Sequence, residues 1–271
     1  MNQYENTLTA TKRLLCAVGE SHWAKWVQDS IERWRDTHDT SRHLSLYAGM
    51  GSFTDIYICR QNRHTVTELQ EPWVNTLLLW LQALCFFLAK QPHSFFAAES
   101  LFNSVGRFDA PLSAFVGGDR AGPSIRGLAE KPTLSGWRCL HCGYAQVSHR
   151  NIEAFIADDI LPTMIFQACE TLTLDQLVDR VLAGELADIA ERREQMAEAL
   201  RRSNISLSDC EGWMRPCPSC GSDDTKVYYW KRATSQEAAF TPPLNGMPGC
   251  KTGGRRSLVA GNGKRPATSQ I

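Results

Sequence analysis

Charge of one sign is what this sequence has least of. Its 29 Lys and Arg are offset by 29 Asp and Glu over 271 residues, giving a formal net charge of zero. That balance excludes a chain that is basic throughout, the composition expected where phosphate neutralisation drives binding to nucleic acid. Long apolar runs are scarce too. The one membrane-like stretch, residues 73–89, is interrupted by Asn75, Thr76 and Gln82. It falls short of the roughly 20 apolar residues of a span and reads as a buried core helix. The amino terminus, Met1-Asn2-Gln3-Tyr4-Glu5-Asn6, has neither the basic n-region nor the apolar h-region of a secretory signal, so a cytoplasmic location is expected. Catalytic signatures are missing as well: there is no Gly-x-Ser-x-Gly elbow and no His-Glu-x-x-His helix. Pro216-Cys217-Pro218-Ser219-Cys220 matches the second half of a zinc-deaminase pattern, but neither His141 nor His149 is followed two residues on by the required Glu. These absences point away from an enzyme.

What is present is an ordinary globular composition, 43% hydrophobic and 21% charged, which fits neither a collagen-like nor a wholly disordered chain. The charge is unevenly distributed. Residues 1–130 hold 12 basic and 13 acidic groups, residues 131–232 hold 12 and 15, and residues 233–271 hold 5 and 1. The last segment, with Pro242-Pro243, Gly253-Gly254 and Arg255-Arg256, is expected to be a disordered basic tail.

Helical periodicity dominates the first ninety residues. Leu8, Leu14, Leu15 and Val18 fall on one face with Gly19 placed to end the helix, and Ser21 is a candidate cap for a second helix striped by Trp23, Trp26, Val27, Ile31 and Trp34. That stripe reads as a packing face. Gly49-Met50-Gly51 suggests a sharp turn, and Phe53 to Ile58 a short strand after it. No Walker lysine or GxGxxG pattern accompanies the turn, so a phosphate site is not expected there. Pro72 suits the first turn of the apolar helix. The stretches His22-Trp23-Ala24-Lys25-Trp26 and Gly49-Met50-Gly51-Ser52-Phe53-Thr54-Asp55 resemble a bacterial domain family of unknown function. Its members carry a Trp-rich helix, a Gly-Gly-Met-Gly-Ser-hydrophobic-Asn-Asp segment and an apolar helix. This chain departs from that pattern at Ala48 and Thr54, and the resemblance implies an N-terminal unit without assigning it a chemistry.

The chemistry lies in the cysteines. Cys139-Leu140-His141-Cys142-Gly143 and Cys217-Pro218-Ser219-Cys220-Gly221 share the form Cys-x-x-Cys-Gly. Two intervening residues let both thiolates of a knuckle reach one ion, and the glycine permits a tight turn that turns amide donors toward sulfur. Four such thiolates make a closed structural zinc site. The knuckles resemble those of zinc ribbons, with Trp137 before the first and Val227-Tyr228-Tyr229-Trp230 after the second as flanking strands. The departure is the spacing, since 74 residues separate Cys142 from Cys217 where a ribbon has about 15 to 20. A fourfold longer loop costs only about 1 to 1.5 kcal/mol of closure entropy, against zinc binding on the order of 10 kcal/mol. The ion prevails. The inserted segment itself looks helical. Asn151 is placed to cap a helix interrupted by Pro162, and Thr173-Leu174-Asp175-Gln176 reads as a capping box opening one long helix to about Leu200. Cys210 and His141 are substitute ligands if the pairing is unusual. Cys16, Cys59, Cys85 and Cys169 lie on apolar stretches and read as buried thiols, and Cys250 lies in the tail. A thiol-redox pair remains the alternative to metal.

The expectation is therefore a mainly α protein with a small β zinc ribbon, an α+β fold. It comprises a helical N-terminal domain (1–92), a connector (93–135), a zinc ribbon with helical insertion (136–232, insertion 151–205) and the tail (233–271). Zn2+ would be held by Cys139, Cys142, Cys217 and Cys220 in a structural site. The zinc protein is read as non-enzymatic, supporting an interaction surface whose partner is protein ahead of nucleic acid, with no membrane association. Arg215, Tyr228, Tyr229, Trp230, Lys231 and Arg232 are the candidate contacts, since they combine stacking rings with phosphate-binding cations.

Overall fold

A computed structural model describes residues 2–47, 51–96, 133–186, 189–208, 216–232 and 240–241, with backbone alone at 133, 228–232 and 240–241. Most of the connector, Arg215, Cys210, Cys250 and the tail apart from Phe240–Thr241, which pairs with β4 as a short strand, lie outside the described residues. Helices α1 (Gln3–Ala17), α2 (Ser21–Thr37), the short α3 (Ser41–Ser45) and α4 (Glu71–Lys90) come first. They are followed by strands β1 (Thr133–Cys139) and β2 (Ala145–Ser148), then helices α5 (His149–Thr171), α6 (Leu174–Ala183) and α7 (Ile189–Arg202). Strands β3 (Ile205–Ser208), β4 (Thr225–Arg232) and β5 (Phe240–Thr241) close the described chain. The fold is α+β: mostly helical, with one small mixed sheet.

Helix α4 is the hub. It is long and apolar enough to cross a membrane by length and composition, yet 83% of its most apolar window is covered by protein. It packs against α1 and α5. A continuous cluster runs from Leu8, Leu14 and Trp34 through Leu77, Trp80 and Leu84 to Phe155, Ile165 and Val178. The N-terminal helices and the helices that follow β2 thus share one hydrophobic core. Two buried carboxylates fasten the same seam. Glu153 of α5 accepts hydrogen bonds from the Trp73 indole N–H at 2.7 Å and from both forks of Arg193. Glu71 faces Arg150 at 3.0 Å and accepts from the Arg60 amide at 2.9 Å. Pairing of this kind is what permits carboxylates so deep in a core.

Several expectations are corrected by the local physics. Phe53 to Ile58 is no strand: a 3-10 turn at Phe53–Asp55 is closed by a capping box between Ser52 and Asp55. The backbone beyond it pairs with a side chain instead of a sheet neighbour. Asn75 of α4 accepts from the Ile58 amide at 2.8 Å and donates to the Ile58 carbonyl at 2.7 Å. Asn75→Ala should leave both Ile58 groups without those partners and cost about 2 kcal/mol, read from the urea midpoint at unchanged m value. An unchanged midpoint would refute that account.

Pro162 does not interrupt α5, which runs through it for 23 residues. Burial of Ile156, Leu161 and Ile165 holds both sides of the missing hydrogen bond in place. The cap of this helix is Ser148, whose side chain accepts from the Asn151 amide. The single long helix after Thr173 is two, because Gly184 takes a left-handed conformation (φ 69°) that closes α6. Thr173 makes no side-chain cap there. Cys16 is exposed, unlike Cys59, Cys85 and Cys169, since the face of α1 that packs inward carries Leu8, Leu14 and Leu15.

The sheet has the order β3-β2-β1-β4-β5. β1 and β2 form an antiparallel hairpin, β4 pairs antiparallel with β1, and β3 joins β2 in parallel after the three-helix excursion. The helical insertion therefore leaves and re-enters at the same edge of the sheet, leaving β1 and β4 side by side.

Candidate metal centre

Strand pairing is what brings the two knuckles together. Cys139 ends β1 and stands opposite Thr225, the first residue of β4. The first knuckle is the turn out of β1 and the second is the turn into β4, so both lie at one end of the same ladder. A further bond, from the Leu140 amide to the Asp224 carbonyl at 2.8 Å, ties one turn to the other.

Each knuckle closes in the same way. Gly143 donates to the Cys139 carbonyl at 3.0 Å and Gly221 to the Cys217 carbonyl at 2.8 Å. Both glycines have positive φ, 79° and 72°, a region that penalises a side chain. The Cys-x-x-Cys-Gly spacing in the sequence is thus a backbone requirement as well as a ligand requirement.

The four sulfurs lie within 4.8 Å of one another. Cys139 Sγ is 3.7 Å from Cys220 Sγ, and Cys142 Sγ is 3.8 Å from Cys217 Sγ. A tetrahedron with metal–sulfur bonds of about 2.3 Å has edges of about 3.8 Å, whereas a disulfide needs about 2.05 Å. The geometry is that of four ligands around a shared centre, with each close pair drawn from different knuckles. Cys139 and Cys217 are buried, Cys142 and Cys220 exposed.

Proton affinities within the cluster differ sharply. The Tyr144 amide, aided by hydrogen bonds from neighbouring thiols, holds the Cys142 thiol down to about 6. Cys220 is pushed up to about 12: the Ser222 amide lowers it, but burial and the sulfurs of Cys142, Cys139 and Cys217 outweigh that donor. Four sulfurs this close repel one another when ionised, and a bound cation would supply the compensating charge. With four protein ligands, such a centre has no open position for a substrate water and is suited to a structural role.

The remaining candidates are placed less directly. His141 is exposed at the tip of its knuckle, outside the four-sulfur cluster. Tyr228, Tyr229, Trp230 and Lys231 lie along β4 opposite Gly136, Ser135, Leu134 and Thr133, and Arg232 lies opposite Phe240 of β5. Burial pushes the thiols of Cys85 and Cys169 up to about 12, as befits structural cysteines. Sequence reasoning missed Glu71 and Glu153, whose partners are fixed only by the packing of α4, α5 and α7. It also missed a cleft beside the Ser52 turn, although the residues of that turn were in view.

Among families, residues 16–67 match a domain of unknown function (DUF6966). The match spans α2, α3 and the turn after them, and supports an N-terminal domain of unknown function. No curated protein matches the chain. No solved structure matches it either.

Proposed function

We propose that the chain is a non-enzymatic bacterial zinc protein of the cytoplasm. In this reading Cys139, Cys142, Cys217 and Cys220 hold one structural Zn2+, and the ordered knuckles and sheet support a surface for a protein partner. The observation that carries it is the pair of cross-knuckle sulfur distances, 3.7 and 3.8 Å, which suit tetrahedral thiolate coordination. All-sulfur tetrahedral sites select zinc or iron, and closed four-cysteine zinc sites are structural. A reducing cytoplasm keeps the four thiols available for the ion. A protein partner is favoured over nucleic acid because the 131–232 segment carries 12 basic against 15 acidic residues.

Elemental analysis of protein purified without added metal tests the centre. About one zinc per chain is expected, absent from a Cys217→Ser, Cys220→Ser double variant. Iron in that position, or no metal in freshly reduced protein, would overturn the zinc assignment. Binding to nucleic acid with a steep salt dependence would displace the protein-partner reading.

A further inference from the structure

A cleft of about 310 Å³ opens between the start of α2 and the Ser52–Tyr57 segment. It is far from bland. Its described walls include Glu20, Trp23, Asp55, Ile56, Tyr57 and His64, with no Lys or Arg among them. Even with His64 counted as protonated, the two carboxylates leave the cleft net negative. All the described walls fall within residues 16–67, the stretch matched by the family model.

The walls are also held in position from behind. Trp23 packs on the buried ring of Phe53 at 5.5 Å between centroids. Tyr57 is half exposed, yet its hydroxyl accepts from Arg150, whose guanidinium is anchored by the buried Glu71 carboxylate at 3.0 Å. Glu20 is held by His64 Nε2 at 3.1 Å, and Asp55 by the Ser52 amide at 2.9 Å. Tyrosines and carboxylates at a surface ordinarily keep their rotamer freedom; here Tyr57, Glu20 and Asp55 are all held around one concavity.

Aromatic faces beside fixed carboxylates form an environment for an organic cation, attracted by the ring quadrupoles and by the anions together. We propose that this cleft binds a side-chain-sized cation, the guanidinium or ammonium end of an arginine or lysine. Its aliphatic stem would lie against Trp23 and Tyr57, and its charged head against Glu20 and Asp55. The site is independent of the metal centre, so neither assignment stands or falls with the other. The cation would come from a partner protein or from the chain's own Lys251, Arg255, Arg256, Lys264 and Arg265.

The test is NMR titration of the full chain with N-acetyl-arginine methylamide and its lysine counterpart, using N-acetyl-norleucine methylamide as the neutral control. Saturable shifts of the Trp23 indole and Gly51 amide with the two cations, but not with norleucine, are expected. Glu20→Gln and Asp55→Asn should each weaken binding about fivefold, while Asp36→Asn on the exposed face of α2 should not change it. Tyr57→Phe, which keeps the ring but removes its tether, should weaken binding less than Tyr57→Leu. Saturation seen only after the five tail cations are changed to Gln would support the site and identify the tail as its occupant. If neither chain shows saturable shifts, or if the Glu20 and Asp55 variants bind as the parent does, the proposal fails.

Discussion

In the proposed zinc form, removing the ion at neutral pH is expected to cost the sheet and its knuckles on the order of 10 kcal/mol, the scale of structural zinc binding. The reason is how little else among the described residues holds that end of the sheet. Leu134, Ala145 and Val147 anchor β1 and β2 against the helices, but Leu140 and Val227 near the knuckles are exposed. Without an ion, sulfurs paired at 3.7 and 3.8 Å cannot all ionise together, and Cys220 holds its proton up to about 12 although Cys142 is held down to about 6. Hydrogen exchange before and after chelation measures the effect. Amides of Cys139, Gly143, Cys217 and Gly221, each bonded within its knuckle, should lose protection by several orders of magnitude, while the α4 amides stay slow. Equal protection of the knuckle amides with and without chelator would show that the fold does not depend on the ion.

Much of this site was legible because its determinants are local. Two identical Cys-x-x-Cys-Gly strings specify ligand type, spacing and turn conformation within five residues each, and no tertiary information is needed to read them. The helices α1, α2 and α4 were legible for a similar reason, since the first two carry their own apolar period and α4 is a nearly continuous apolar run opened by Pro72. What escaped were features whose partners are remote in sequence. Nothing in Ile205-Ser206-Leu207-Ser208 announces that it will pair in parallel with β2, nearly sixty residues earlier. Phe53 to Ile58 has strand-forming residues, but an asparagine seventeen positions on satisfies Ile58 in place of a neighbouring strand. Pro162 obeys its local rule poorly because the burial around it outweighs one lost hydrogen bond. Glu71 and Glu153 looked like ordinary charged positions until Arg150, Trp73 and Arg193 were brought against them.

His43 gives the second large effect, through acid stability. Its ring is 1% exposed and enclosed by Tyr4, Tyr47 and Phe53. Nε2 contacts the Tyr47 hydroxyl at 3.3 Å, and that hydroxyl itself donates to the Gln82 carbonyl, while Nδ1 has no hydrogen-bond partner among the described residues. Burial with no carboxylate against the ring lowers its pKa to about 3. An unfolded histidine titrates near 6.5. Between those values the unfolded chain binds a proton that the folded chain refuses, so stability falls as the pH drops from about 6.5 toward 3 and is unaffected by this group above 6.5. The full contribution is on the order of 5 kcal/mol at about 1.4 kcal/mol per pH unit. Because protons also compete with any metal at the cysteines, the comparison has to be made against a variant. His43→Phe keeps an aromatic ring in the pocket and removes the titration, so urea unfolding between pH 6.5 and 4 should show a slope shallower by about 1 kcal/mol per unit than in the parent. Parallel slopes in the two proteins would mean that His43 is protonated in the folded state as readily as in the unfolded chain, which the absence of a carboxylate partner around its ring argues against.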